Sequence, residues 1–199
     1  MWIKHIPYDE ATGRLRTLYD RVSGPDRTVD NIMLAHSLRP HTMEGHMALY
    51  KAVLHHPSNT LPVWLLETIG LWVSLLNGCG YCVEHHFAGL KRQMGDDARA
   101  DAIRKSLEAR MPETAPLAPA EVAALNYADA LTAASNFVDE DEIEELREAG
   151  WDDGAILEIN QVTAYFAYAN RVVQGLGVTT DGDVLGLSPA AEGEDWSHR

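Results

Sequence analysis

Hydrophobic residues recur every three or four positions along most of this chain, the period of an α-helix buried on one side. Residues 8–23 carry Leu15, Leu18, Tyr19 and Val22 at that spacing, and Gly24-Pro25 ends the run. Asp30 is placed to cap a short helix reaching Leu38, stopped before Pro40. A helix over 41–56 gathers Met43, Met47, Tyr50, Val53 and Leu54. Pro57 terminates it, and Ser58-Asn59-Thr60 offers a cap before Pro62 opens the next helix. That helix, 62–76, is apolar on nearly all sides. After the turn Asn77-Gly78 a further helix runs to Met94-Gly95, and 96–110 reads as a surface-facing helix.

Three prolines between Met111 and Pro119 mark a loop. Residues 120–134 form an Ala- and Leu-rich helix. In 139–149, the run Asp139-Glu140-Asp141-Glu142 suits the positive end of a helix dipole and reads as a solvated helix start. The last long helix, 152–174, turns Ile156, Ile159, Val162, Phe166 and Val173 inward, with Gly175 and Gly177 ending it. No run alternates with strand period. The expectation is one all-α domain over 1–178, with its core motif at 61–94, and a loose C-terminal tail over 179–199.

Composition adds little to the fold and more to the exclusions. Hydrophobic residues are 46% of the 199, charged residues 23%, and the formal net charge is −14. Nucleic acid and anionic membrane surfaces both call for clustered Lys and Arg, so neither is an expected partner. The stretch from Leu61 to Leu76 is interrupted by Glu67, Thr68 and Ser74 and is too short to span a bilayer. The N-terminal residues show no apolar signal region, so the chain is expected in a reducing cytoplasm.

There the only two cysteines, Cys79 and Cys82, take on meaning. A C-x-x-C pair in a reducing compartment is a redox dithiol or half of a zinc site more often than a structural bridge. It falls where a helix should begin, and a helix N-terminus favours thiolate. His85 and His86 follow Cys82 at three and four residues, on one helix face, and imidazole titrates near neutrality. Spacing does not choose between them. Glu67 is the one charge between Leu61 and Leu76. A carboxylate among such neighbours would have a raised pKa, suited to exchanging protons with imidazole or thiol. The alternative is a Glu on the less buried face of an amphipathic helix beside Thr68 and Ser74. A metal reading places Cys79, Cys82 and His85 or His86 around zinc, with His55 or His56 as fourth ligand. His36, His41 and His46 read as packed or surface histidines, with His36 the one to watch.

Glu67, eleven residues, Cys79-x-x-Cys82, three residues, His86: this spacing resembles the signature of the alkylhydroperoxidase D-like (AhpD-like) family of the carboxymuconolactone decarboxylase superfamily. The segment LLETIGLWVSLLNGCGYCVEHHFAGL is similar to the family core throughout. Ala35 to Pro40, Ala164-Tyr165-Phe166 and Asn170-Arg171 resemble its peroxidase-related branch. The resemblance implies a multi-helix AhpD-like fold with the C-x-x-C opening a core helix, and a peroxiredoxin-type oxidoreductase. By it, Cys82 is the peroxidatic thiol, Cys79 resolves its sulfenic acid as a disulfide, and Glu67 and His86 relay the proton. It implies a hydroperoxide substrate, an external dithiol or thiol-protein reductant, a homo-oligomer (dimer, trimer or hexamer), and no cofactor or metal. One departure stands out. Where characterised members carry histidine before the second cysteine, this chain has Tyr81, a poor proton acceptor at neutral pH. A disulfide oxidoreductase or redox sensor with weak turnover is therefore the alternative. Tyr81, His85 and His36 are the secondary site candidates.

Overall fold

A computed structural model describes residues 1–24 and 27–186. Among them the chain is all helical, with no strand. In chain order the helices are α1 (Gly13–Val22), α2 (Asn31–Ala35), α3 (Pro40–Tyr50), α4 (Val63–Leu76), α5 (Gly80–Met94), α6 (Asp97–Glu108), α7 (Pro119–Ala134), α8 (Glu140–Glu148) and α9 (Asp153–Leu176).

The centre is α4, with α5, α7 and α9 packed around it. Every residue from Leu65 to Ser74 is buried, Glu67, Thr68 and Ser74 included. The reading of α4 as amphipathic, with Glu67 on a wetter face, is therefore overturned. A helix surrounded on all sides has no wet face, which is why its sequence is apolar all round. The few polar groups are satisfied within the protein: Thr68 Oγ1 donates to the Trp64 carbonyl at 2.8 Å, and Trp72 Nε1 donates to the Leu125 carbonyl at 3.0 Å. A second apolar cluster, centred on Leu15, Leu18, Tyr19, Met33 and Met43, joins α1 to α2 and α3.

Several ends differ from the sequence reading because tertiary partners replace local caps. The 8–23 run splits into a 3-10 turn, Tyr8–Glu10, and α1. The helix expected over 41–56 is α up to Tyr50 and widens into a π turn over Lys51–His55. The cap expected from Ser58-Asn59-Thr60 is not formed: the Glu158 carboxylate, from α9, accepts the Thr60 and Leu61 backbone N–H groups at 2.8 and 2.9 Å. Asn59 instead donates to the Val53 carbonyl, closing the π turn. Gly175 lies inside α9, and Gly177 ends it in the left-handed conformation. Elsewhere local chemistry decides: Asp96, Asp139 and Asp152 cap α6, α8 and α9 as side-chain acceptors.

The region expected as a loose tail divides. Residues 179–186 are bound to the domain. The Asn31 side chain donates to the Thr179 and Asp181 carbonyls, both at 2.9 Å, and Asp183 is buried against α2 and α5. Residues 187–199 of that expected tail lie outside the described residues. No described helix is long and apolar enough to cross a membrane.

Candidate active site

Three residues, Asn77 to Cys79, join α4 to α5, so the two helices pack against each other and bring distant positions together. Cys79 is the N-cap residue of α5 and Cys82 lies in its first turn. One helical turn on come His85 and His86, and after a second turn Gly89. Cys82, His85, His86 and Gly89 all line one cavity of about 90 Å³. Glu67 of α4, Asp30, Ile32, His46, Tyr50, Tyr81 and Tyr165 complete most of its wall. A space of that size holds a few waters or one small reacting group.

Glu67 is 1% exposed, and an isolated carboxylate at such depth would be strongly disfavoured. Its partner is His86, whose Nδ1 lies 2.7 Å from Oε2. With a carboxylate as acceptor, Nδ1 carries the hydrogen, and Nε2 is the nitrogen left to exchange a proton. The ring is fixed further by an edge-on contact with Phe166, centroids 4.4 Å apart. Gly89 makes room for the carboxylate: a Cβ there would sit 2.9 Å from Glu67 Oε1.

His85 faces a different acid. Its Nε2 lies 3.2 Å from Asp183 Oδ2, its ring stacks on Tyr81 with centroids 4.4 Å apart, and Tyr81 donates its hydroxyl to the same oxygen at 2.8 Å. Tyr81 in turn accepts the Ile32 N–H. Burial and the two nearby carboxyl groups push the Tyr81 phenol up, so it stays a donor. Burial, with Asp183 adding and His85 opposing, raises the Asp30 carboxyl to about 6. Asp30 itself makes no side-chain cap on α2, contrary to the sequence expectation. The Asn31 N–H goes to Asp183 at 3.0 and 3.1 Å.

Both cysteines are free thiols and buried. The Cys79 sulfur is pulled down as an acid. The Cys82 thiol donates to it, and the backbone N–H groups of Cys82 and Tyr81 add to this against the cost of burial. The same contact, with burial, pushes Cys82 up, and the Asn170 side chain pulls it back in part. Asn170 is fully buried, donating to Ser74 Oγ at 3.1 Å and accepting from Asn77 Nδ2 at 2.9 Å. In the resting pair, therefore, Cys79 is the sulfur favoured as thiolate, and Cys82 needs a base to lose its proton.

The sequence profile of the carboxymuconolactone decarboxylase family matches residues 40–130, which hold α3 to α7 and every residue of the Glu67/Cys79/Cys82/His86 set. A peroxidase-related protein from Ralstonia eutropha JMP134 with an alkylhydroperoxidase AhpD core superposes with TM-score 0.78 at 25% identity, over 89% of this chain and 90% of its own. Over residues 40–130 the chain thus resembles the carboxymuconolactone decarboxylase family, and its fold is that of the AhpD core. A peroxidase-related protein from Silicibacter sp. TM1040 shares the AhpD-like fold with TM-score 0.73 and 24% identity, over 90% of this chain and 88% of that one. So does the debrominase Bmp8, TM-score 0.70 and 20% identity, over 88% and 89% of the two chains. The AhpD-like fold therefore carries more than one chemistry. No curated protein matches the chain.

Within this AhpD-like domain, not every candidate histidine reaches the cavity. His36 binds Thr42 Oγ1 through Nδ1 at 2.9 Å and does not line the cavity; its ring stands 5.1 Å from that of His46. His46, read from sequence as packing, does line it. His46 is 3% exposed, bonds Tyr165 through Nε2 at 3.3 Å, and is pushed down to about 3 by burial. His55 bonds the Tyr50 hydroxyl at 2.9 Å, and His56 accepts the Ser58 N–H. Among the described residues no three His, Cys, Asp or Glu side chains are grouped to hold a metal ion. The ligand set of the zinc reading is not brought together: His85 and His86 are turned to separate carboxylates.

Proposed function

We propose that this protein is a thiol-dependent peroxidase that reduces hydroperoxides through a Cys79–Cys82 dithiol/disulfide cycle. The observation that carries the reading is the buried Glu67–His86 pair in the same cavity as Cys82. A base fixed by a buried carboxylate is what a sulfur with a raised pKa needs.

His86, held at Nδ1 by Glu67, takes the Cys82 proton at Nε2, directly or through one water. The thiolate attacks the terminal oxygen of ROOH. The S–O bond forms, the O–O bond breaks, and Cys82 becomes a sulfenic acid as RO⁻ leaves and is protonated to ROH. Cys79, its thiol proton lost to solvent, then attacks the Cys82 sulfur, and the departing hydroxide takes the proton from His86 as water. An external dithiol reduces the disulfide by thiol exchange, returning both cysteines.

The low-lying Cys79 sulfur also supports a second reading, in which Cys79 attacks external disulfides and peroxide is a poor substrate. Stopped-flow oxidation of the reduced protein by hydrogen peroxide and an organic hydroperoxide, with thiols counted before and after, separates the two. Fast loss of two thiols per chain, abolished in Cys82→Ser, is the peroxidase outcome. Inertness to both oxidants together with rapid exchange with a small disulfide, abolished in Cys79→Ser, is the other.

A further inference from the structure

Four ionisable side chains beside the proposed relay have no part in it: Asp30, Tyr81, His85 and Asp183. Three of them line the Cys82 cavity, and Asp183 stands directly behind two of those three. The Asp183 side chain is 3% exposed, and both its oxygens have partners. The Asn31 N–H reaches both oxygens, and the Tyr81 hydroxyl and His85 Nε2 share Oδ2. The segment that brings it, 179–186, is tied down at both ends. Asn31 holds the Thr179 and Asp181 carbonyls, and Gly186 sits so close to α5 that a Cβ there would lie 2.7 Å from Ala88 Cβ.

Splitting a hydroperoxide needs two proton transfers, one off the thiol and one onto the departing alkoxide, a far stronger base than imidazole. The Glu67–His86 pair is committed to the first. We propose that His85, positioned by Asp183 and Tyr81, delivers the proton to the leaving alkoxide, so that the cavity holds a separate acid–imidazole pair for each end of the O–O bond. This inference rests on the peroxidase reading above. With Nε2 held by Asp183, Nδ1 is the nitrogen of His85 left to face the cavity. Asp183 binds this imidazole, and the Asp30 carboxyl lines the same cavity. Burial raises that Asp30 carboxyl to about 6. Tyr81 is spent on Asp183, which explains how a phenol can stand where a proton acceptor is expected without disabling the site. Over a full cycle the two thiol protons leave in ROH and in water. The proton lent by His85 is replaced by the one from the Cys79 thiol through solvent. His85 would be a catalytic residue and Asp183 a positioning residue acting through it.

The test compares leaving groups. Tert-butyl hydroperoxide expels a strongly basic alkoxide that needs an acid; peracetic acid expels acetate, which does not. The rate of Cys82 oxidation by each is measured by stopped flow in wild type, Asp183→Asn and His85→Gln. The expected result is that the ratio of the tert-butyl hydroperoxide rate to the peracetic acid rate falls about 100-fold in both variants. An unchanged ratio, whether both rates fall together or neither falls, would overturn the proposal, since a structural role slows both oxidants alike. If Asp183→Asn does not fold, His85→Gln carries the same comparison from the other end of the pair. A wild-type protein inert to both oxidants would instead sink the peroxidase reading, and this one with it.

Discussion

Two histidines adjacent in sequence, His85 and His86, end up in opposite situations. His86 meets an acid on the neighbouring helix, 19 residues earlier, on the buried α4. His85 meets an acid 98 residues later, on a segment without helical structure that lies across α5. Both imidazoles are bound through one nitrogen and both line the same cavity. Adjacent helical positions point about 100° apart, so two neighbours can serve two different walls of one site. The pair of residues that looked redundant in sequence is two separate devices.

The largest effect is expected at the Glu67–His86 pair. Glu67→Gln or His86→Gln should slow Cys82 oxidation by roughly 10²- to 10⁴-fold, the range of a lost general base. The loss should be similar for strongly and weakly basic leaving groups, because the base acts on the thiol. A loss confined to one class, read by stopped flow, would reverse the two roles.

Stability against pH should also separate two regions, with opposite signs. His46 is held neutral, its value lowered from 6.5 to about 3, so the unfolded chain binds the proton first. Its contribution is whole above about pH 6.5 and is lost as pH falls toward 3, by up to about 5 kcal/mol. Asp30, raised from 3.8 to about 6, runs the other way. The native state binds that proton, and the contribution present below about pH 3.8 is lost as pH rises through 6. In urea unfolding between pH 7 and pH 4.5, His46→Gln should lose less stability on acidification than wild type. Asp30→Asn should lose more. Identical slopes in all three proteins would contradict these assignments.

Gly89→Ala places a methyl group against the Glu67 carboxylate. Overpacking of this kind costs about 1–3 kcal/mol, seen as a lower urea midpoint. It should also slow Cys82 oxidation with both oxidant classes. Unchanged kinetics would mean that Glu67 can move without loss of function. The smallest effect is expected at the segment 179–186: Asn31→Ala removes two side-chain hydrogen bonds to it and should cost about 1 kcal/mol. Amide exchange within 179–186 should speed up, with none in α4.

Much of this was legible in the sequence, and what was not has a common cause. The helical pattern is local, so 3.6-residue periodicity found α1 to α9 and named five of the buried residues of α9, Ile156, Ile159, Val162, Phe166 and Val173. Glu67, Cys79, Cys82 and His86 lie within 20 positions of one another, and a single helix pair brings them together. Asp183 left no such trace. It stands in Asp181-Gly182-Asp183, a turn-like stretch with no apolar period, and its role depends on Asn31 and Tyr81 far away in the chain. Glu158, capping the approach to α4 from α9, was invisible for the same reason. His46 looked like any histidine on a helix; only burial against Tyr165 at the cavity wall sets it apart.

The central claim is that Cys82 takes the peroxide oxygen and Cys79 resolves it, although Cys79 is the sulfur favoured as thiolate at rest. The most direct measurement is mass spectrometry of Cys79→Ser after one equivalent of hydroperoxide, with a sulfenic-acid trap. The expected result is a single trapped sulfenic acid at Cys82, absent when Glu67→Gln is added. An unmodified Cys82 in that variant, with Cys79 trapped instead in Cys82→Ser, would contradict the account.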